Sequence, residues 1–238
     1  MSSISVTEPG ASKRFSSLLA GGGKPFVALV RPPVVFRSRG LANEATPALG
    51  LAYISSYIRK HGYDCVMVDG QGEGLNKIWT PLDYTDFRCQ GLTFDEIIER
   101  VPDNTDVIGM AAMFSGEWPI IKKLVAKLRG RFPAALIVAG GEHITALPEY
   151  CLRDCPELDV CVLGEGEHTF LEILKATSSG TPLSAINGIA FIDDDDIFSQ
   201  ASGSPRIRDI DEIPWPEWPD GYLEKFWEAG KSFGPQTA

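Results

Sequence analysis

Residues 135–145 read Ala135-Leu136-Ile137-Val138-Ala139-Gly140-Gly141-Glu142-His143-Ile144-Thr145, a short apolar run that stops on two glycines. Such a run, rich in branched side chains and bounded by glycine, predicts a strand buried on both faces, and strands of that kind belong to parallel sheets covered by helices. Two further runs end the same way. Cys65-Val66-Met67-Val68 precedes Asp69-Gly70-Gln71-Gly72-Glu73-Gly74, and Val160-Cys161-Val162-Leu163 precedes Gly164-Glu165-Gly166-Glu167. In an open parallel sheet every turn of this kind falls at the carboxyl edge of the strands, where α/β proteins hold their ligands. The sequence therefore predicts three glycine-bearing turns converging on one crevice that suits a large cofactor.

Outward from that stretch, apolar runs of strand length alternate with segments of helical period: residues 26–30 then 50–60, 65–68 then 94–101, 106–113 then 117–132, 135–139 then 145–154, and 159–163 then 168–177. Five strand-then-helix units predict an α/β fold with a doubly wound, mostly parallel five-stranded sheet, because parallel neighbours need crossover connections and both faces need cover. Arg59-Lys60-His61 before Gly62 reads as a cationic last helical turn with a glycine stop. Thr93-Phe94-Asp95-Glu96 reads as a capped, acidic helix start.

The flanks differ in character. Residues 1–24 are polar and aperiodic and are expected to be a mobile arm, with residues 25–180 as the ligand-binding domain. Residues 187–200 predict two antiparallel strands joined by Asp193 to Asp196, a solvated acidic turn rather than a metal site, within a hairpin appendage over 181–212. Ile213-Pro214-Trp215-Pro216-Glu217-Trp218-Pro219 cannot form a regular helix or a central strand, so residues 213–238 read as an extended connector toward a further domain.

At 238 residues, 44% hydrophobic and 23% charged, the chain can bury one full core. A formal charge of −10 opposes binding to nucleic acid or to anionic membranes, both of which call for clustered Lys and Arg. The sequence has no apolar run of about 18 residues and no apolar signal core at its start, so a cytoplasmic protein is expected. Five scattered cysteines fit a reducing compartment better than a disulfide framework.

The ordered blocks Arg31-Pro32-Pro33, Pro47-Ala48-Leu49-Gly50-Leu51-Ala52-Tyr53-Ile54, Met113-Phe114-Ser115 with Trp118, Gly140-Gly141-Glu142-His143-Ile144-Thr145-Ala146, Leu163-Gly164-Glu165-Gly166-Glu167 and Asp209-Ile210-Asp211-Glu212-Ile213-Pro214 resemble the amino-terminal cobalamin-binding domain of cobalamin-dependent radical S-adenosylmethionine enzymes. The resemblance covers roughly residues 25–220 and implies a Rossmann-like cobalamin-binding fold. Related domains that ligate cobalt carry Asp-x-His-x-x-Gly after the second strand. Here Gln71 stands at the histidine position, and a neutral amide is a poor cobalt ligand, so the resemblance implies base-off cobalamin with no protein histidine on the metal. The family's catalytic part holds a four-iron four-sulfur cluster with Cys-x3-Cys-x2-Cys and binds S-adenosylmethionine. This sequence has no such spacing: Cys151, Cys155 and Cys161 fall on different elements and read as buried apolar thiols.

By the same resemblance Gly140 and Gly141 lie against the nucleotide tail, with Glu142 and His143 beside it and Thr145 as N-cap of the following helix. Ser115 contacts the displaced base or the corrin edge. Gly164, Glu165, Gly166 and Glu167 receive the ribose and base of the tail, with Glu167 alternatively a helix-start acid. Gln71 lies under cobalt, and Arg37 and Arg39 face the corrin or stand as solvated loop charges; Trp79 is expected to pack beneath the corrin from its position after the second strand alone. The implied function is a cobalamin-binding domain of a radical enzyme, a methyltransferase or a radical rearrangement enzyme, with no catalytic residue of its own. Its radical S-adenosylmethionine barrel would be supplied in cis by a longer parent or in trans. A stand-alone cobalamin carrier or sensor remains open. So does a flavin- or dinucleotide-binding domain of flavodoxin type, although Arg31-Pro32-Pro33 stands where a glycine-rich phosphate loop belongs.

Overall fold

In the computed structural model, residues 14–16, 18, 23–40, 45–201, 203 and 207–230 are described. The chain runs β1 (Val27–Arg31), β2 (Val34–Arg37), α1 (Leu49–Lys60), β3 (Cys65–Asp69), β4 (Ile78–Trp79), β5 (Phe87–Gln90), α2 (Phe94–Arg100) and β6 (Val107–Ala111). It continues through α3 (Trp118–Arg131), β7 (Leu136–Gly140), α4 (Glu142–Ala146), α5 (Pro148–Asp154), β8 (Val160–Val162), α6 (Gly166–Ser179), β9 (Ile189–Ile192), β10 (Phe198–Gln200) and α7 (Tyr222–Glu228).

Seven strands form the main sheet in the order β10-β9-β8-β7-β6-β1-β3. Within it β3, β1, β6, β7 and β8 are parallel. The order reverses between β1 and β6, which makes that junction the switch point of a doubly wound sheet. Alternate residues of each strand enter two separate apolar layers: Val27 and Leu29 one, Ala28 and Val30 the other, with Leu136 and Val138 against Ile137 and Ala139 in β7. Ile97 of α2, Leu124 of α3 and Leu152 of α5 complete one layer; Ile58 of α1 with Phe170 and Leu174 of α6 complete the other. Burying each such side chain contributes roughly 1.5–3 kcal/mol, so both faces of every central strand are apolar and their sequence reads as an unbroken run. The capping box at Thr93 is formed in both directions, with the Glu96 carboxylate accepting from the Thr93 N–H at 2.8 Å.

Four expectations are corrected. The arm over residues 1–24 has a docked part: Phe15 is buried, and Arg14 pairs with buried Asp159 at 2.6 Å, alongside Arg129 at 2.6 Å. Strands β9 and β10 are no appendage, because β9 adds antiparallel to β8 and extends the main sheet. Arg37, expected on a loop, instead ends a strand of a second sheet of order β2-β5-β4. The extended segment around Pro214 to Pro219 leads into helix α7, whose Phe226 and Tyr222 are buried in the core. Once the proline spacing ends, Tyr222, Leu223 and Phe226 offer an apolar face at helical intervals, and burying it favours the helix.

Candidate functional site

At the carboxyl ends of β6, β7 and β8 three turns sit side by side. Ala112 N–H donates to the Gly140 carbonyl (2.8 Å), His143 N–H to the Met113 carbonyl (3.2 Å), and Gly164 N–H to the Thr145 hydroxyl (3.0 Å), so each turn is pinned to the next. Gly141 has φ +124°, and a Cβ there would lie 2.5 Å from the Ala112 carbonyl oxygen; only glycine lets the two turns close up. At Gly140 an added Cβ would meet only Val162 Cβ at 3.8 Å, and at Gly164 it would meet nothing within 4 Å. Backbone at these two positions is therefore open to close approach by a ligand. Met113 and Phe114 stand 46% and 62% exposed beside them, with Ser115, Glu142, Thr145 and Glu165 also exposed.

Beneath this open rim His143 is 3% exposed. Its Nδ1 lies 2.8 Å from Ser115 Oγ and its Nε2 lies 3.3 Å from Cys151 Sγ, while Trp118 packs on the ring at 5.2 Å. Burial lowers the pKa of the ring below the ordinary histidine value and pushes the Cys151 thiol up to about 11. The imidazole and the thiol are accordingly both neutral at neutral pH.

The ends of β1 and β3 are closed instead. Asp69, 1% exposed, receives Nε and Nη2 of Arg31 at 2.6 and 2.5 Å, the Gln71 N–H at 3.1 Å and the Tyr222 hydroxyl. Tyr222 in turn accepts from the Ala48 N–H at 2.9 Å, and Trp218 stacks on its ring at 6.4 Å. Gly72 packs against Phe226, where an added Cβ would come within 3.1 Å of the ring. Helix α7 thus straps down the turn after β3. Near its outer side lies a cavity of about 600 Å³ lined by Lys77, Glu96, Arg100, Lys225 and Glu228.

Of the three turns expected to converge, the two after β7 and β8 do so, joined by the turn after β6. The turn after β3 does not. Gln71 is 2% exposed, with its amide Nε2 lacking a hydrogen-bond partner among the described residues, inside the closed half rather than on an open surface. His143 has both ring nitrogens engaged by side chains of this chain and leaves none for a ligand. Thr145 lies within α4, not at an N-cap, because Leu147 breaks the expected helix in two and the Thr145 hydroxyl serves Gly164. Glu165 accepts the Ile207 N–H at 3.3 Å, Gly166 begins α6, and Glu167 is an acid of its first turn. Arg37 and Arg39 are exposed on the second sheet and the turn after it. Trp79 is committed to Phe94, edge to face at 5.2 Å, not to a ligand surface.

Sequence reasoning missed the Arg31, Asp69 and Tyr222 node. Its signal was a strand ending in Arg and a strand ending in Asp; once β1 and β3 pair in register, Arg31 and Asp69 are direct neighbours. It also missed the link from His143 to Cys151, eight residues apart across the helix break.

Comparison with known proteins gives a consistent answer. The B12 binding domain family matches residues 42–174. An uncharacterized methyltransferase of Pyrococcus horikoshii is 30% identical over 210 residues, spanning 87% of this chain and 41% of that protein. The cytidylyl-2-hydroxyethylphosphonate methyltransferase of Streptomyces wedmorensis is 30% identical over 233 residues, spanning 89% and 43%. The chain therefore spans less than half the length of these curated relatives. Among solved structures, the cobalamin-dependent S-adenosylmethionine radical enzyme OxsB, with aqua-cobalamin and S-adenosylmethionine bound, shares the fold with a TM-score of 0.62 at 20% identity, over 81% of this chain and 24% of that one. The radical S-adenosylmethionine methyltransferase TsrM from Kitasatospora setae gives a TM-score of 0.53 at 15% identity, over 76% and 31%.

Proposed function

Since the chain belongs to the B12-binding domain family, we propose that it holds cobalamin on the open rim formed after β6, β7 and β8, as the cobalamin-binding part of a radical S-adenosylmethionine enzyme. The observation that carries this reading is the pair of uncovered glycines. At Gly140 an added Cβ would meet only Val162, and at Gly164, whose left-handed φ of +72° itself favours glycine, it would meet nothing within 4 Å among the described residues, which fits an extended nucleotide tail laid against the strand ends. Gly141 brings the turns together, Met113 and Phe114 offer apolar surface to the corrin, and Ser115 offers a hydroxyl. Glu142, Thr145 and Glu165 flank that path.

Bound cobalamin would supply methyl-transfer or carbon-radical chemistry to the active site that it serves. The residues of this chain bind and orient it. Both nitrogens of His143 are engaged within this chain, so these residues would hold the cofactor without an imidazole of His143 on cobalt; that its own base would be displaced rests on the resemblance to the radical enzymes. We read residues 25–180 as the binding body, with the later strands and α7 as its extension. A radical S-adenosylmethionine barrel, carrying the four-iron four-sulfur cluster, would work with it in cis or in trans, in methylation or rearrangement. A reducing, cytoplasmic setting fits the five free, buried thiols. Among the described residues no helix is long and apolar enough to cross a membrane.

The test is direct. Purified chain mixed with hydroxocobalamin and desalted is expected to retain colour with a base-off visible spectrum. Colourless protein, or a spectrum with nitrogen below the cobalt, would overturn the reading.

A further inference from the structure

The segment from Asp209 to Glu228 runs along α1 and is held at both ends of that helix. Lys60 Nζ donates to the Glu212 carbonyl (2.8 Å), and the Tyr222 hydroxyl accepts the Ala48 N–H (2.9 Å). Between these points Ile213 and Trp218 pack on the apolar layer of α1 and α6, and Trp218 stacks on Tyr222. One side of the segment therefore fixes its backbone to the body. Its other side leaves Ile210, Trp215 and Trp227 in the open, 76%, 87% and 46% exposed.

Trp215 is the most exposed of the five tryptophans. It stands between Pro214 and Pro216, whose rings fix φ, so the indole is presented on backbone with little freedom left to lose on binding. The charge around it is uncovered as well. Between residues 209 and 228 seven acids stand exposed against one cation, Lys225, and none of the seven forms an ion pair among the described residues. Elsewhere surface charges do find partners: α3 pairs Lys122 with Asp154 at 2.9 Å and Lys127 with Asp95 at 2.7 Å. Nucleic acid and anionic membranes are repelled by an acidic strip, and a second copy of the chain would bring the same formal charge of −10. The surface that gains by covering it is a basic one.

We propose that residues 209–228 form a docking strip for a separate protein, whose surface carries an apolar slot for the Trp215 indole bordered by Lys and Arg side chains that meet the acids on either side. A tryptophan desolvated at the centre of a charged rim concentrates binding energy in few residues, and opposite potentials speed the encounter. The strip shares no residue with the open rim after β6, β7 and β8.

The test exchanges Trp215 for the photo-crosslinking residue p-benzoylphenylalanine in the full chain, expressed in the cells it comes from, with the same exchange at Leu82, 96% exposed, as control. Irradiation is expected to join position 215, and not position 82, to one other protein within a stretch rich in Lys and Arg. That protein, once purified, is titrated with the chain. Trp215→Ala is expected to weaken binding roughly thirtyfold or more, as loss of a central tryptophan does. Asp211→Asn combined with Glu217→Gln is expected to weaken it about twofold to tenfold and to flatten its dependence on salt. Both sites are exposed, so both variants should keep the native circular dichroism spectrum. The strip would be overturned by crosslinking no greater than at position 82, by a crosslink to a second copy or to an acidic surface, or by undiminished binding of Trp215→Ala.

Discussion

At the ends of β1 and β3 the chain closes its own rim with an ion pair, a tyrosine and a helix, whereas at the ends of β6, β7 and β8 it leaves glycine backbone and apolar side chains in the open. Both halves belong to one sheet and begin from similar sequence, a branched apolar run that meets glycine. What separates them is the partner each turn finds. The turn after β3 lies next to Arg31 and beneath Tyr222 and Phe226, so its polar groups are consumed inside the protein. The turns after β7 and β8 pair with each other through Thr145 and keep their outward face uncovered. Glycine at a strand end marks close approach of something. Whether that something is the protein itself or a ligand is decided by neighbours far away in sequence.

The closed half is expected to be a matter of stability, so breaking it should give the largest energetic effect. Asp69→Ala removes the acceptor for Arg31, Tyr222 and the Gln71 N–H together, and loss of one partner from a buried ion pair costs about 3 kcal/mol or more. Urea unfolding should show an unfolding free energy lower by that amount, while the folded variant retains hydroxocobalamin like the native chain. Retention lost from a protein that is still folded by circular dichroism would place Asp69 in the ligand site and dissolve the contrast.

Gly140→Val asks the opposite of the open half. Its Cβ has room in the free protein, so stability should change by no more than about 1 kcal/mol. The added branches occupy the path assigned to the nucleotide tail, and overpacking of about 1–3 kcal/mol corresponds to retention weakened roughly fivefold to 150-fold. A desalting titration checks it. Unaltered binding would move the tail away from β7.

Gln71 sharpens the boundary. Its amide Nε2 is buried without a partner among the described residues, and Gln71→Leu, of similar size, should raise stability by about 1 kcal/mol by removing the cost of an unpaired donor. Gln71→His should leave the visible spectrum of retained cobalamin unchanged, because the residue lies in the closed half. A shift toward a nitrogen-ligated spectrum would show that the half opens on binding.

Much of the doubly wound sheet was legible because its central strands bury both faces, which writes each strand as a short apolar block with a helical segment after it. The hairpin after residue 187 was legible too, though not its place, since joining β8 depends on backbone edges and not on side-chain pattern. The second sheet escaped because β4 is two residues long and β5, Phe87-Arg88-Cys89-Gln90, alternates too briefly to stand out. At the site, Gly140, Gly141 and Ser115 could be placed on the rim from strand ends alone. The inward turn of His143 could not, because it follows from the break at Leu147 that brings Cys151 beneath the ring. Helix α7 was hidden by the prolines before it, which describe residues 214–219 correctly and say nothing of what Tyr222 and Phe226 bury.

Glu117 sits on the seam between the halves, its Oε1 accepting the Val35 N–H of the second sheet at 3.2 Å beside the turn after β6. Burial raises its pKa above the ordinary carboxylate value, with the Val35 hydrogen bond and the Arg31 charge opposing that shift. The folded chain therefore holds a proton that the unfolded chain has released, and between the ordinary and the raised pKa this residue lowers stability as pH rises. Glu117→Gln keeps an acceptor for Val35 and cannot ionise. Its stability relative to the native chain should grow on going from about pH 4 to pH 7, as the native carboxyl loses its proton in a buried place and the amide does not. Urea unfolding of both chains at the two pH values reads the difference. A gain that shrinks with rising pH would mean that Glu117 is held as a stabilised anion, and that charge rather than packing joins the open half to the closed one.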